Sequence, residues 1–184
     1  MRTVEIRRHA ERDGNEDLTA AGFAQAARAR QALTFPYDAY VVSPAKRARL
    51  TMAAFGVTDP VVEERLAPRP RSPFARFAVR HEELMAAGMD AVTAWFAIPE
   101  CVPMLLEHGR DALAGVLDLA AELPERGRAL AVSHGGTIEP LVVAATGRGF
   151  EDLFAGRELA YCEGIRLMVR DGRVAGIDVL RLSP

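Results

Sequence analysis

The placement of short apolar runs is what most restricts the folds open to this chain. Ala39–Val42 and residues 129–132 each read as a short apolar strand, and residues 3–6 (Thr-Val-Glu-Ile) as a strand start that runs into Arg7-Arg8-His9. A helical pattern follows each of the three. Leu18-Thr19 opens the first helix, with Thr19 as N-cap and Phe23, Ala26, Ala27 and Leu33 on its apolar side. Ser43 caps the second, with Pro44 at the first helical position, and this helix runs to about Phe55; the third spans residues 138–145. Crossovers of this length let neighbouring strands run parallel. Val61-Val62 adds another short strand, third in chain order, and residues 165–170, the Asp171-Gly172 turn and residues 174–182 form a closing hairpin. The pattern predicts an α/β fold, a three-layer α/β/α sandwich on a mainly parallel sheet with an antiparallel edge.

Between these elements lies LAPRPRSPF, residues 66–74, whose three prolines exclude regular structure. Helical material fills most of residues 75–123, broken at Pro99, Pro103 and Gly109. The expectation is one domain over residues 1–184 that carries a helical insertion at roughly 66–110. No apolar run approaches the ~20 residues of a membrane span. Arg2, Glu5, Arg7 and Arg8 interrupt any secretory h-region, and Cys101 and Cys162 lack metal-type spacing. A cytoplasmic protein with reduced thiols is expected. A net charge of −2 gives no case for nucleic acid or membrane partners. Any anion site must therefore be local, and the oligomeric state is not written in these features.

Such a site is visible at the strand ends. Arg8 and His9 follow the first strand, Arg47 lies in the first turn of the helix after the second, and His134 directly follows the apolar strand that ends at Val132. Parallel strands would deliver all four to one edge of the sheet, where open α/β sheets bind ligands. Two of these segments also open helices, whose terminal amides favour anions, and Gly135-Gly136 lets the backbone approach a ligand closely. Two guanidiniums beside amide donors suit a phosphoryl group. Taken singly, each residue has a plainer reading as a solvated arginine, a structural histidine or a tight turn. His81 and His108 are left under that reading.

The set as a whole resembles the histidine phosphatase superfamily, the phosphoglycerate-mutase-like group. Arg8-His9-Ala10-Glu11 stands in the place of its Arg-His-Gly motif, with Ala for Gly, and Asn15 occupies the position of a frequent Asn. Leu18-Thr19 with Gly22, Ser43-Pro44 through Arg47-Ala48 and Thr51, and Ser133-His134-Gly135-Gly136 match its further motifs. The resemblance covers residues 1–55 and 128–184. It implies His9 as the nucleophile, forming a phosphohistidine, with Arg8, Asn15, Arg47, His134 and Gly135 around the phosphate. It implies neither metal nor cofactor. A neutral imidazole is available near pH 7 where an unactivated hydroxyl is not.

The resemblance also implies a carboxylic acid to protonate the leaving group. Leu66-Ala67-Pro68 offers none at the expected place, so Glu82 is the first candidate and Glu83 the second; both also read as exposed helix carboxylates. Without an acid, the chemistry would favour anhydrides or phosphohistidine. Arg69, Arg71, Arg76 and Arg80 suit either an anionic substrate tail or a solvated loop. The expectation is a metal-independent phosphatase acting on phosphate monoesters of a small molecule or a phosphoprotein. A phosphoglycerate-type mutase, a phosphohistidine phosphatase and a catalytically idle phosphate- or phosphoprotein-binding module are the alternatives.

Overall fold

In the computed structural model, which describes residues 1–69 and 72–182, six strands form one sheet in the order β3-β2-β4-β1-β5-β6. They are β1 (Arg2–Arg8), β2 (Ala39–Val42), β3 (Val61–Val62), β4 (Arg128–Ser133), β5 (Gly164–Arg170) and β6 (Arg173–Leu180). The first four pair in parallel, whereas β5 and β6 are the antiparallel edge. The tight β5–β6 connection uses Asp171 and Gly172, both at positive φ (51° and 71°), as a two-residue hairpin turn requires.

Side-chain alternation sorts the sheet residues into two cores. Val4, Ile6, Val41, Ala129, Ala131, Ile165 and Leu167 face α5 (Val102–Glu122) and α6 (Gly135–Thr146). Val42, Leu130 and Val132 face α1 (Ala20–Gln31) and α2 (Lys46–Ala54). This is the expected three-layer sandwich. The second face also buries a polar group: on β1, Glu5 pairs with Arg7 at 2.7 Å and with Arg166 at 3.1 Å.

Local details depart from expectation in four places. On α1 the Thr19 hydroxyl accepts from Gly22 N–H at 3.0 Å, as an N-cap should, but Phe23 and Ala27 are exposed. The buried stripe is Gly22, Ala26 and Ala29, because a Cβ on Gly22 would sit 2.1 Å from the Glu11 carbonyl and only a small residue lets the helix lie so close. Ser43 is not a helix cap. Ala45 precedes α2, and the Ser43 side chain turns to His134 instead. Gly109 does not break α5; a Cβ there would meet the Pro140 carbonyl at 2.3 Å, so this glycine is where α5 and α6 press together. The helix after β4 starts three residues sooner than the apolar pattern indicates, at Gly135.

The chain from β3 to α5 crosses above the carboxyl ends of the parallel strands. It holds short 3₁₀ turns, α3 (Ala78–Ala86) and α4 (Ala91–Phe96), packed around Phe74, Trp95, Ile98, Cys101 and Leu105. Among the described residues, no helix is long and apolar enough to cross a membrane.

Candidate active site

Strand register brings the functional side chains level. Arg8 on β1 pairs with Ser133 on β4, and Val42 on β2 pairs with Val132, so His9, Ser43 and His134 all follow at the same edge. The two imidazoles lie side by side with ring centres 5.1 Å apart. Arg47 arrives from the first turn of α2, and its Nε–H donates to His9 Nε2 at 3.1 Å.

The backbone fixes His9 closely. Its N–H donates to the Ser133 carbonyl at 2.9 Å, while Ala10 N–H donates to Thr51 Oγ1, whose hydroxyl donates in turn to the Arg47 carbonyl. Thr51 thus ties the strand end to the helix that carries Arg47. In the ring, Nδ1 lies 2.8 Å from the Ala10 carbonyl. A carbonyl only accepts, so Nδ1 carries the proton and Nε2 presents a lone pair. Burial pushes the His9 pKa down to about 3; the Ala10 hydrogen bond opposes this, and Arg47, Arg8 and Arg12 reinforce it. The nucleophile expected at His9 is therefore neutral and correctly tautomerised.

His134 is buried with Nε2 2.7 Å from Ser43 Oγ, and its Nδ1 has no partner among the described residues. Burial, then Arg47 and His9, hold its pKa well below the ordinary histidine range. Arg8 Nη1 donates to Glu158 Oε1 at 2.7 Å and to the Leu159 carbonyl, and its guanidinium lies over the Tyr161 ring at 4.7 Å. Arg47 Nη1 bonds the Glu16 carboxylate. Gly135 and Gly136 open α6 at this point, and each faces an arginine. A Cβ on Gly135 would lie 3.3 Å from the Arg8 guanidinium, and one on Gly136 3.2 Å from Arg69 Nη1.

These groups line one end of a cavity of about 550 Å³. Its other end is apolar, walled by Phe74, Ala78, Val92 and Trp95 from the overlying segment. His81 belongs to this wall. It is buried, stacks on Trp95 at 3.9 Å, and its Nε2 lies 2.8 Å from the Ala91 carbonyl.

Two expected residues lie elsewhere. Glu82, the expected general acid, and Glu83 are exposed on α3 and do not line the cavity. Neighbouring helical residues point about 100° apart, so a helix that turns His81 inward sends Glu82 to solvent. Asn15 is exposed too, with its N–H on Asp13 Oδ1 at 2.8 Å. The next residue, Glu16, at φ 66°, swings its carboxylate to Arg47 in its place. The basic cluster divides. Arg69 lines the cavity, Arg76 and Arg80 are exposed, and Arg71 lies outside the described residues.

Three residues at the site carried no signal in the sequence. Glu158 is the one carboxylate among the described residues that line the cavity, and its Oε2 accepts from Val92 N–H at 3.1 Å. Tyr161 stands 5.7 Å from the His9 ring. Thr137 bridges His108 Nε2 (3.1 Å) to the Ala67 carbonyl (3.0 Å), clipping the proline-rich loop to α6.

A family model described as "Histidine phosphatase superfamily (branch 1)" matches residues 4–176. A protein of Hydrogenobacter thermophilus named "Putative phosphoserine phosphatase 2" is 30% identical over 172 residues, covering 84% of this chain and 83% of that one. Among solved structures, phosphoserine phosphatase from Entamoeba histolytica, in complex with 3-phosphoglyceric acid, superposes with a TM-score of 0.71 at 16% identity, covering 100% of this chain and 98% of that one. A mycobacterial glucosyl-3-phosphoglycerate phosphatase complexed with VO3 gives 0.67 at 20% identity over the whole of both chains. With the sheet topology and the two-histidine, two-arginine strand edge, these matches place the chain in the histidine phosphatase superfamily, branch 1.

Proposed function

We propose that this histidine phosphatase cleaves phosphate esters of small molecules through a phosphohistidine on His9, with no metal or cofactor. One observation carries the reading: His9 holds its Nδ1 proton on the Ala10 carbonyl and presents Nε2 beside Arg47 in the lining of the cavity. In the first step Nε2 bonds to phosphorus as the ester P–O bond breaks. In the second, water attacks phosphorus and the P–N bond breaks, restoring His9. Arg8, Arg47, His134 and the amides at Gly135 surround the transferring group and match the charge spread over its oxygens. The vanadium oxyanion bound by the mycobacterial phosphatase supports an equivalent oxyanion site here.

The leaving oxygen still needs a proton, and Glu158 does not supply it. Both of its oxygens are already taken as acceptors, one by the Arg8 guanidinium. Glu158 is a positioning residue for Arg8. Leaving groups that need little protonation are therefore favoured, and on this ground phosphohistidine is the second reading for the substrate. The described residues of the segment at roughly 66–110 serve as the cap that encloses the rest of the substrate. Two unpaired, buried cysteines, Cys101 and Cys162, support a reducing cytoplasmic setting.

Turnover of p-nitrophenyl phosphate in the presence of EDTA tests the reading, with His9→Ala as control. Metal-free turnover that the variant lacks supports it. A phosphate-binding module without catalysis would give no turnover with either protein.

A further inference from the structure

The cavity contains a cation that the phosphoryl chemistry does not use. Arg69 leaves the proline-rich loop and turns into the cavity wall, with its guanidinium 4.5 Å from the Trp95 ring centre and 4.7 Å from that of Phe74. Among the described residues its Nε is buried without a hydrogen-bond partner, and no carboxylate lies within ion-pair distance of it. Burial pulls its pKa down to about 10. Arg65, in the 3₁₀ turn just before this loop, shows the contrast: it is held by Glu63 at 2.9 Å and Asp118 at 2.7 Å. A partly desolvated guanidinium without an acid is costly unless an anion joins it.

The same helix start locates that anion. Arg8 abuts Gly135 and Arg69 abuts Gly136, so the two guanidiniums lie against consecutive residues of one helix start. Arg8 belongs to the phosphate end, and Arg69 faces the apolar end. We propose that Arg69 binds a carboxylate on the substrate, so that the enzyme selects compact phosphate esters bearing a carboxylate a few bonds from the phosphate. One planar fork matches a single carboxylate bidentately. Phe74 and Trp95 hold the fork in place, and the surrounding apolar wall strengthens the pairing.

This proposal rests on the phosphatase reading of the His9 end, but binding tests it without turnover. The intact protein is titrated calorimetrically with propylphosphonate and with ω-carboxyalkylphosphonates of two to four carbons. Wild type should bind at least one carboxylated ligand about tenfold or more tightly than propylphosphonate. Arg69→Gln should abolish that preference, and Arg69→Lys should restore only part of it. Arg69→Met gives the same comparison if the Gln variant does not fold. Equal affinities in wild type, or a preference that survives both neutral variants, would overturn the proposal. So would equal losses on both ligand types, which would place Arg69 on the reacting phosphate. Failure of p-nitrophenyl phosphate turnover defeats the phosphatase reading separately.

Discussion

Arg47 Nε–H points at Nε2 of His9 across 3.1 Å, so the lone pair that must attack phosphorus is held by a cation in the resting site. In the mechanism proposed for His9, the incoming phosphate takes over this donor through its own oxygens, which releases the lone pair as the charge it must attack arrives. On that proposal Arg47 first suppresses protonation of His9 and then stabilises the transferring group. The Glu16 carboxylate on its Nη1 aims the fork.

Arg47→Lys tests this coupling. An ammonium reaches one oxygen but does not reproduce the fork, so kcat/KM for p-nitrophenyl phosphate should fall by roughly 10²–10³, the range for loss of an oriented transition-state donor. A lysine variant within twofold of wild type would show that charge alone suffices.

The depressed pKa of His9 predicts an unusual acid limb. Because protonation is deferred to about pH 3, kcat/KM should not decline through an imidazole pKa near the ordinary value of 6.5 as pH falls from 7.5 to 5. Stability should behave in the opposite way. The unfolded chain takes up the proton below 6.5 and the folded one does not, so the contribution is full above 6.5 and is lost as pH falls towards 3. The slope is at most about 1.4 kcal/mol per pH unit for His9, and buried His134 adds to it in the same sense. Urea unfolding at pH 7.5 and 5.0 measures this, and His9→Ala should flatten the dependence. An activity limb with a pKa near 6.5 would contradict the first part.

Glu139 gives a pH effect of opposite sign. It is fully buried on α6, its Oε1 accepts from Leu159 N–H at 2.9 Å, and its Oε2 has no partner among the described residues. Burial raises its pKa to about 8 against the ordinary 4.5. The folded state keeps a proton that the unfolded state has lost, so its contribution is present below 4.5 and is lost as pH rises through about 8. Glu139→Gln keeps the acceptor and removes the titration. Its stability relative to wild type should climb between pH 5 and pH 9 by an amount on the order of one to several kcal/mol. A difference that does not vary with pH would show Glu139 ionised in the fold.

Glu158→Gln separates positioning from acid catalysis. Loosening Arg8 should cost roughly tenfold to a hundredfold in kcat/KM, equally for aryl and alkyl phosphates. A general acid would show a loss much larger for the alkyl ester, whose leaving group needs the proton. That outcome would return the acid to this site.

The legible part of this protein is the part set by periodicity. Arg8, His9, Arg47 and His134 sit at strand ends and in a first helical turn, where backbone direction follows from a parallel sheet, and the structure brings all four together. Where the backbone is irregular, sequence says little about where side chains point. Glu158 and Tyr161 leave the stretch between Phe154 and Gly164, and Arg69 leaves a proline-rich loop. On α3, which of His81, Glu82 and Glu83 turns inward is a question of helical phase, and only packing against Trp95 decides it. Gly109 reads as a breaker by propensity alone; the contact with Pro140 that explains it is a tertiary one.

The central claim is that phosphate passes through His9. Rapid acid-free quenching of wild type during turnover of labelled p-nitrophenyl phosphate, followed by peptide mapping, tests it most directly. The expected product is one acid-labile, base-stable phosphate on the peptide containing His9, absent from His9→Ala, whose turnover falls by several orders of magnitude. Turnover that persists in His9→Ala, or a steady-state enzyme with its label on any other residue, would contradict the account.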